Sequence, residues 1–304
     1  MKIRYLIFLM CMVASSWFTA GAQFSGHGIL EDYFEKVRIG EAYKLPPVGD
    51  IPVTPRTIET IIPYLSDTLP RVQLEGCRLL HLVFRGAVDS LNRQKVLTLL
   101  CKTAAGLPPP KSRVCLGWLT GYRAGDFTNE ACYYLVQVAR QKNSAFSMAV
   151  KLAAFAGSTE IRYLARGFQR DTMLMPRDRF AASLALARMG EKKAIKSILQ
   201  WVRTLPVGDD LVHEIVPGLV YTRQPEIYDF LYDIILAEEK NCYSVNPNST
   251  GKIPCAYEVI HFLATGIENF PVTGDNLYTE AVLRETREWI MENKSRAIIN
   301  RSTY

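Results

Sequence analysis

Apolar positions recur at spacings of three and four through most of the chain, with only short stretches between them. From Met175 to Trp201 the sequence MPRDRFAASLALARMGEKKAIKSILQW holds two such stripes, separated by Gly190-Glu191. The first carries Phe180, Leu184, Leu186 and Met189, the second Ala194, Ile198 and Val202. This spacing gathers apolar side chains on one face of an α-helix and predicts two helices joined by a tight turn. The same pattern returns at Val72, Leu79, Leu80 and Val83, at Ala149, Leu152, Ala153 and Ala156, and at Ile227, Phe230, Leu231 and Ile234. No segment alternates at period two for long enough to argue a sheet. The predicted fold class is all-α.

Breaks follow the apolar stripes at Gly86, Gly125, Gly157, Gly190 and around Thr222-Arg223, at intervals of 39, 32, 33 and 32 residues. Regular spacing of this length is the mark of a repeat protein. Pro70, Pro110, Pro176 and Pro225 stand at or near helix starts, where a missing N–H costs little. One amphipathic pair cannot bury both its faces alone, whereas neighbours laid side by side share a continuous core. Small residues such as Ala181, Ala182, Ala185 and Ala187 let helices approach closely. The repeat region is expected over 56–295. Before it, residues 23–55 predict a helix around Ile29 to Val37 and a proline-rich crossing from Leu45 to Pro55; after it, residues 296–304 form a tail expected to fray.

Within the best-defined pair, Arg179, Ala182, Ala185, Leu186, Gly190, Glu191 and Ala194 occur in the order of the short bacterial HEAT repeat. The chain resembles the HEAT-like group of PBS-lyase type. That resemblance implies an α/α superhelix, a HEAT/armadillo-like solenoid of stacked hairpins, serving as a binding scaffold. A tetratricopeptide array has a similar period, but its Trp-Leu-Gly-Tyr signature is not seen.

Composition adds a compartment. Lys2 and Arg4 precede an apolar run from Leu6 to Ala14, and Ala20-Gly21-Ala22 offers a small-x-small cleavage pattern, so residues 1–22 read as a secretion signal. The rival is an uncleaved anchor, for which the apolar run is short. Loss of the leader lowers the net charge from +6 to +4. This mild excess, together with export, argues against nucleic acid as a partner. Six cysteines then remain for an oxidising space. Cys242 and Cys255 bracket a segment rich in Asn, Pro, Ser and Gly and are the candidate disulfide. Cys77, Cys101, Cys115 and Cys132 lie in apolar helical stretches, where buried thiols are the plain reading. A Cys101–Cys115 bridge across the prolines at 108–110 is the other arrangement the spacing allows. No cysteine pair has C-x-x-C spacing and the four histidines are scattered, so no metal or cofactor is expected. Asn248, Asn293 and Asn300 carry N-x-S/T patterns, which matter only in a eukaryotic host.

Catalytic constellations are sparse. No G-x-S-x-G, phosphate-binding glycine loop or G-x-G-x-x-G occurs, and His213-Glu214 lacks the second histidine of a zinc protease. Glu226, Asp229 and Asp233, followed by Glu238-Glu239, form carboxylate pairs at helical spacing, for which a solvated acidic face is the plainer account. His81 and His261 fall in apolar stripes and are expected in the core.

Aligning the second helices on the breaks leaves one face that the core does not explain. It carries Tyr133, Gln137 and Arg140, then Tyr163, Gly167 and Arg170, then Lys196, Gln200 and Arg203, then Tyr228 and Tyr232. Spacings of four and three put each set on one helical surface. The HEAT resemblance implies that this ribbon lines the concave side. Tyrosine and arginine are typical of binding hot spots. The expectation is therefore a non-enzymatic scaffold for a protein or peptide, acidic by complementarity, or for an envelope glycan. An enzyme on the same scaffold, a lyase or hydrolase of envelope or nucleic-acid substrates, is the alternative. A structural subunit of an envelope assembly, marked by convex apolar patches, is the third.

Overall fold

A computed structural model describes residues 25–243, 251–272 and 278–304. The leader-like residues 1–22 and Asn248 lie outside the described residues. The fold is all-α, with a single two-stranded ribbon among the described residues. No helix in them is long and apolar enough to cross a membrane.

The chain forms two compact units that divide between Cys115 and Leu116, so the anticipated repeat region is described in two parts. The first unit holds α1 (Ser25–Ile39), α2 (Pro55–Leu65), α3 (Pro70–Phe84) and α4 (Ser90–Gly106); α5 (Pro109–Trp118) contains the dividing point. Thr54 caps α2 by accepting from the Thr57 amide, and Asp89 caps α4 by accepting from that of Leu91. The helix predicted at 29–37 is α1, which packs on α3 and stacks Phe34 on Tyr64 at a centroid distance of 3.7 Å. Cys77, Cys101, Cys115 and Cys132 carry no disulfide, which sets aside the Cys101–Cys115 bridge. The first three are buried, and the Cys115 thiol faces the Leu100 carbonyl at 3.6 Å. A hydrogen bond with Cys77 and burial both push it well above the usual thiol range.

The second unit is a series of helical pairs. In order come α6 (Asn129–Arg140), α7 (Phe146–Phe155), α8 (Thr159–Arg170), α9 (Pro176–Arg188), α10 (Lys192–Val202), α11 (Val216–Thr222) and α12 (Pro225–Leu236). After the ribbon, β1 (Cys242–Tyr243) against β2 (Lys252–Ile253), follow α13 (Ala256–Ala264) and α14 (Glu280–Asn293). The central helix α9 packs against its own partner α10 and against α7, α8 and α11 of the flanking pairs. Its alanines 181, 182, 185 and 187 are buried, and this small-residue face is what admits so many neighbours.

The predicted breaks have a common backbone basis. Gly157, Gly190 and Arg223 all adopt positive φ, at +78°, +79° and +54°, and follow one another at equal intervals of 33 residues. At the first two, the amide three residues past the helix end bonds back into the last turn, Ser158 to the Ala153 carbonyl and Glu191 to that of Leu186. This closure fixes where each second helix starts. Gly86 and Gly125 mark breaks without positive φ.

The Cys242–Cys255 disulfide is present, with Cα atoms 5.0 Å apart, and ties β1 to β2. The tail does not fray. Residues 297–304 lie against the second unit: the Glu268 amide donates to the Ile298 carbonyl, the Asn300 amide to that of Gly266, and the Ala124 amide to that of Ser302.

Candidate functional site

The second helices α6, α8 and α10 bury the positions expected of their cores. Ala131, Leu135, Val136 and Ala139, then Ile161 and Ala165, then Ala194, Ile198 and Val202 are buried, with Leu164 half-buried. The opposite positions are open to solvent: Tyr133 is 54% and Tyr163 71% exposed, and Arg140, Arg170, Lys196, Gln200 and Arg203 are exposed, with Gln137 half-buried. Trp201, half-exposed and set edge-on against Phe180 at 5.0 Å, is an aromatic of this region that the alignment missed.

Ion pairs link successive second helices. Arg140 reaches Glu160 at 2.5 Å, Lys142 reaches Asp171 at 2.6 Å, Arg166 reaches Glu191 at 2.8 Å and Lys192 reaches Glu226 at 3.0 Å. Each is open to solvent and screened by it, so these pairs add little stability. Arg140 is therefore a partly neutralised member of the ribbon. Arg170, Lys196 and Arg203 make no ion pair among the described residues. Along α8 and α10, Arg162, Arg166, Arg170, Lys192, Lys193 and Lys196 face one carboxylate on the same helices, Glu160, which leaves the surface cationic.

Tyr228 and Tyr232 depart from the expected face: they are 1% and 3% exposed. Their helix α12 also packs against α13 and α14, so the side that is open on α8 and α10 is covered here. Burial raises both phenols above their ordinary value. The Tyr228 hydroxyl accepts from Arg223 at 2.7 Å. His261 is exposed rather than in the core, because the buried side of α13 is carried by Tyr257, Val259, Ile260 and Leu263. His81 is buried as expected, and burial draws its imidazole down to about 4.

A second constellation lies at the ends of the first helices. Phe155, Arg188 and Tyr221 each stand two residues before a left-handed break, so the repeat places equivalent positions in one row. The Arg188 guanidinium lies 5.1 Å from the Phe155 ring centroid and 5.3 Å from that of Tyr221, a cation between two aromatic rings. Lys151 approaches the Tyr221 and Tyr304 rings at 5.7 and 5.8 Å. Burial lowers Arg188 to about 10, and Arg223 adds to the effect. Reading the first helices at the breaks, as was done for the second, would have exposed this row.

Glu226 pairs with Lys192; its own amide and that lysine hold its carboxyl below the usual range. Asp229 and Asp233 are exposed, and His213 stands 3.9 Å from Asp209. A cavity of about 620 Å³ opens beside the disulfide ribbon, lined by Glu238, Lys240, Lys252, Tyr257, Glu280 and Arg287 among others. Arg287 is committed to the Ile235 and Ala237 carbonyls at 2.8 and 2.5 Å. Comparison with protein-family models, curated proteins and solved structures finds no match.

Proposed function

We propose that the protein is an exported helical-repeat scaffold of HEAT-like, superhelical type that captures an acidic macromolecular partner on the exposed face of α6, α8 and α10. The observation that carries this reading is the company of exposed Tyr133 and Tyr163 with the unpaired cations Arg170, Lys196 and Arg203. Tyrosine supplies broad contact area at low entropic cost, and unpaired arginine and lysine supply the attraction that steers an anionic surface in. Export rests on the leader-like residues 1–22 and on a disulfide that an oxidising space would maintain.

Fluorescein-labelled poly-L-glutamate tests the face directly. The full chain should bind it with an affinity that falls as salt rises, and the R170A/K196A/R203A variant should lose roughly tenfold or more. No binding by the unaltered chain, or equal binding by the triple variant, would overturn the reading. Arg140 is left out of the triple because Glu160 already neutralises it. The alternative reading, an enzyme on the same scaffold, has its foothold in the cavity beside the disulfide ribbon, whose volume suits a small ligand. None of Glu226, Asp229 and His213 lines that cavity.

A further inference from the structure

Residues 297–304 cross the ends of three first helices. Ile299 bridges Ile267, and beyond it the Arg301 and Thr303 carbonyls accept from one nitrogen of Arg188 at 2.8 and 2.9 Å. The Tyr304 carbonyl accepts from Arg223 at 2.9 Å. The Tyr304 ring sits edge-on to Phe155 at 5.6 Å and tilted against Tyr221 at 5.0 Å, with its hydroxyl 3.6 Å from the Met148 sulfur. We propose that this trough is a binding site for an extended peptide segment bearing an aromatic side chain, and that the chain fills it with its own residues 297–304 as an intramolecular ligand. None of the exposed ribbon residues on α6, α8 and α10 takes part, so the two readings stand or fall separately.

Three features separate such a site from ordinary core. First, the segment is read through its backbone: the carbonyls of Ile298, Arg301, Ser302, Thr303 and Tyr304 all accept hydrogen bonds, while the Arg301 and Ser302 side chains are exposed. Main-chain readout with one side-chain pocket is how proteins bind extended peptides. Second, Arg188 and the fully buried Arg223 pair with no aspartate or glutamate among the described residues, and the Arg223 Nε finds no acceptor there. A buried guanidinium without an acidic side chain beside it is an expensive way to build a permanent interior but a suitable donor for the main-chain oxygens of an incoming segment. Third, the floor is shaped by unusual backbone. Arg223 occupies the left-handed position that Gly157 and Gly190 fill elsewhere, and a Cβ at Gly266 would lie 2.1 Å from the Arg223 Nη1. Only glycine lets the chain pass this close.

A tethered segment meets its site at an effective concentration on the order of millimolar, so free peptide competes poorly with the intact chain. The probe is a labelled peptide of residues 297–304, AIINRSTY. The Y304A variant of the full chain should bind it roughly tenfold or more tighter than the unaltered chain does. The same peptide with alanine in place of its tyrosine should not bind either protein. As a variant that keeps the Tyr304 ring and the carbonyl contacts of 298–304, a protease site inserted between Arg296 and Ala297 is cut after folding. The cut segment should stay bound on gel filtration and leave when excess AIINRSTY is added, the helical signal being unchanged. Failure of AIINRSTY to bind Y304A or to displace the cut segment, equal action by the alanine peptide, or unfolding on cleavage would each overturn the proposal.

Discussion

Arg223 is a costly residue for its position, since a side chain in the left-handed region costs about 1–2 kcal/mol relative to glycine. Its hydrogen bonds to Tyr228 and to the last described residue offset that cost. Gly266, which makes room for it, gives the sharpest residue-scale expectation. Gly266→Ala should destabilise the protein by about 1–3 kcal/mol in urea unfolding, through forced displacement of Arg223 and Tyr228. Gly86→Ala, with nothing within 4 Å of the added carbon, should be near neutral. Ala182, with no exposed surface among the neighbours of α9, makes a parallel case: Ala182→Leu should also cost about 1–3 kcal/mol. Two titrations should be visible. His81 is held at about 4 by burial against an ordinary 6.5, so the unfolded chain binds the extra proton first. Stability should fall as pH drops from about 6.5 towards 4, and His81→Gln should flatten that part of the thermal-unfolding profile. Tyr221, Tyr228, Tyr232 and Tyr304 are raised chiefly by burial, so above their ordinary value of 10 the unfolded chain loses phenolic protons that the fold retains. Stability should therefore fall again above pH 10, with Arg188 opposing this in part.

At the scale of elements, much of the fold was legible because helix period, proline starts and breaks agree with one another. Pro70, Pro176 and Pro225 do open helices, Pro110 falls second in α5, and Thr128 and Ser158 cap α6 and α8. The ribbon was legible in α6, α8 and α10, whose two faces differ clearly in polarity. It failed at α12, where Tyr228 and Tyr232 have an apolar body with a polar tip and fit either environment; the covering helices α13 and α14 decide, and nothing in the local pattern announces them. The 297–304 segment was illegible for a related reason. Its attachment is a single bridge and a set of carbonyls, which leave no periodicity in sequence. The cysteine pair, by contrast, was readable from the turn-rich segment between Cys242 and Cys255. That disulfide closes a short loop and should contribute about 2–4 kcal/mol by restricting the unfolded chain. Cys242→Ser with Cys255→Ser should lower the unfolding free energy by that amount while leaving the helical signal of α6 to α10 in place.

Across the whole molecule, a net charge of +6 is modest for 304 residues, and what matters is where the cations gather. Two groups stand out in the second unit. Those on α8 and α10 are exposed and partly unpaired, in the manner of a surface awaiting an anionic partner. Those at the ends of α9 and α11, Arg188 half-buried and Arg223 buried, lie against aromatic rings and backbone carbonyls. Under the proposed reading both serve recognition, the first facing outward and the second filled from within. The most direct test of the outward face is site-specific photocrosslinking in the cells that make the protein. A benzoylphenylalanine at Tyr163, 71% exposed, should yield a discrete adduct that disappears in the R170A/K196A/R203A background, whereas the same probe at Val88, 98% exposed in the first unit, should not. Equal adducts at both positions, or an adduct at Tyr163 indifferent to the three cations, would contradict the account.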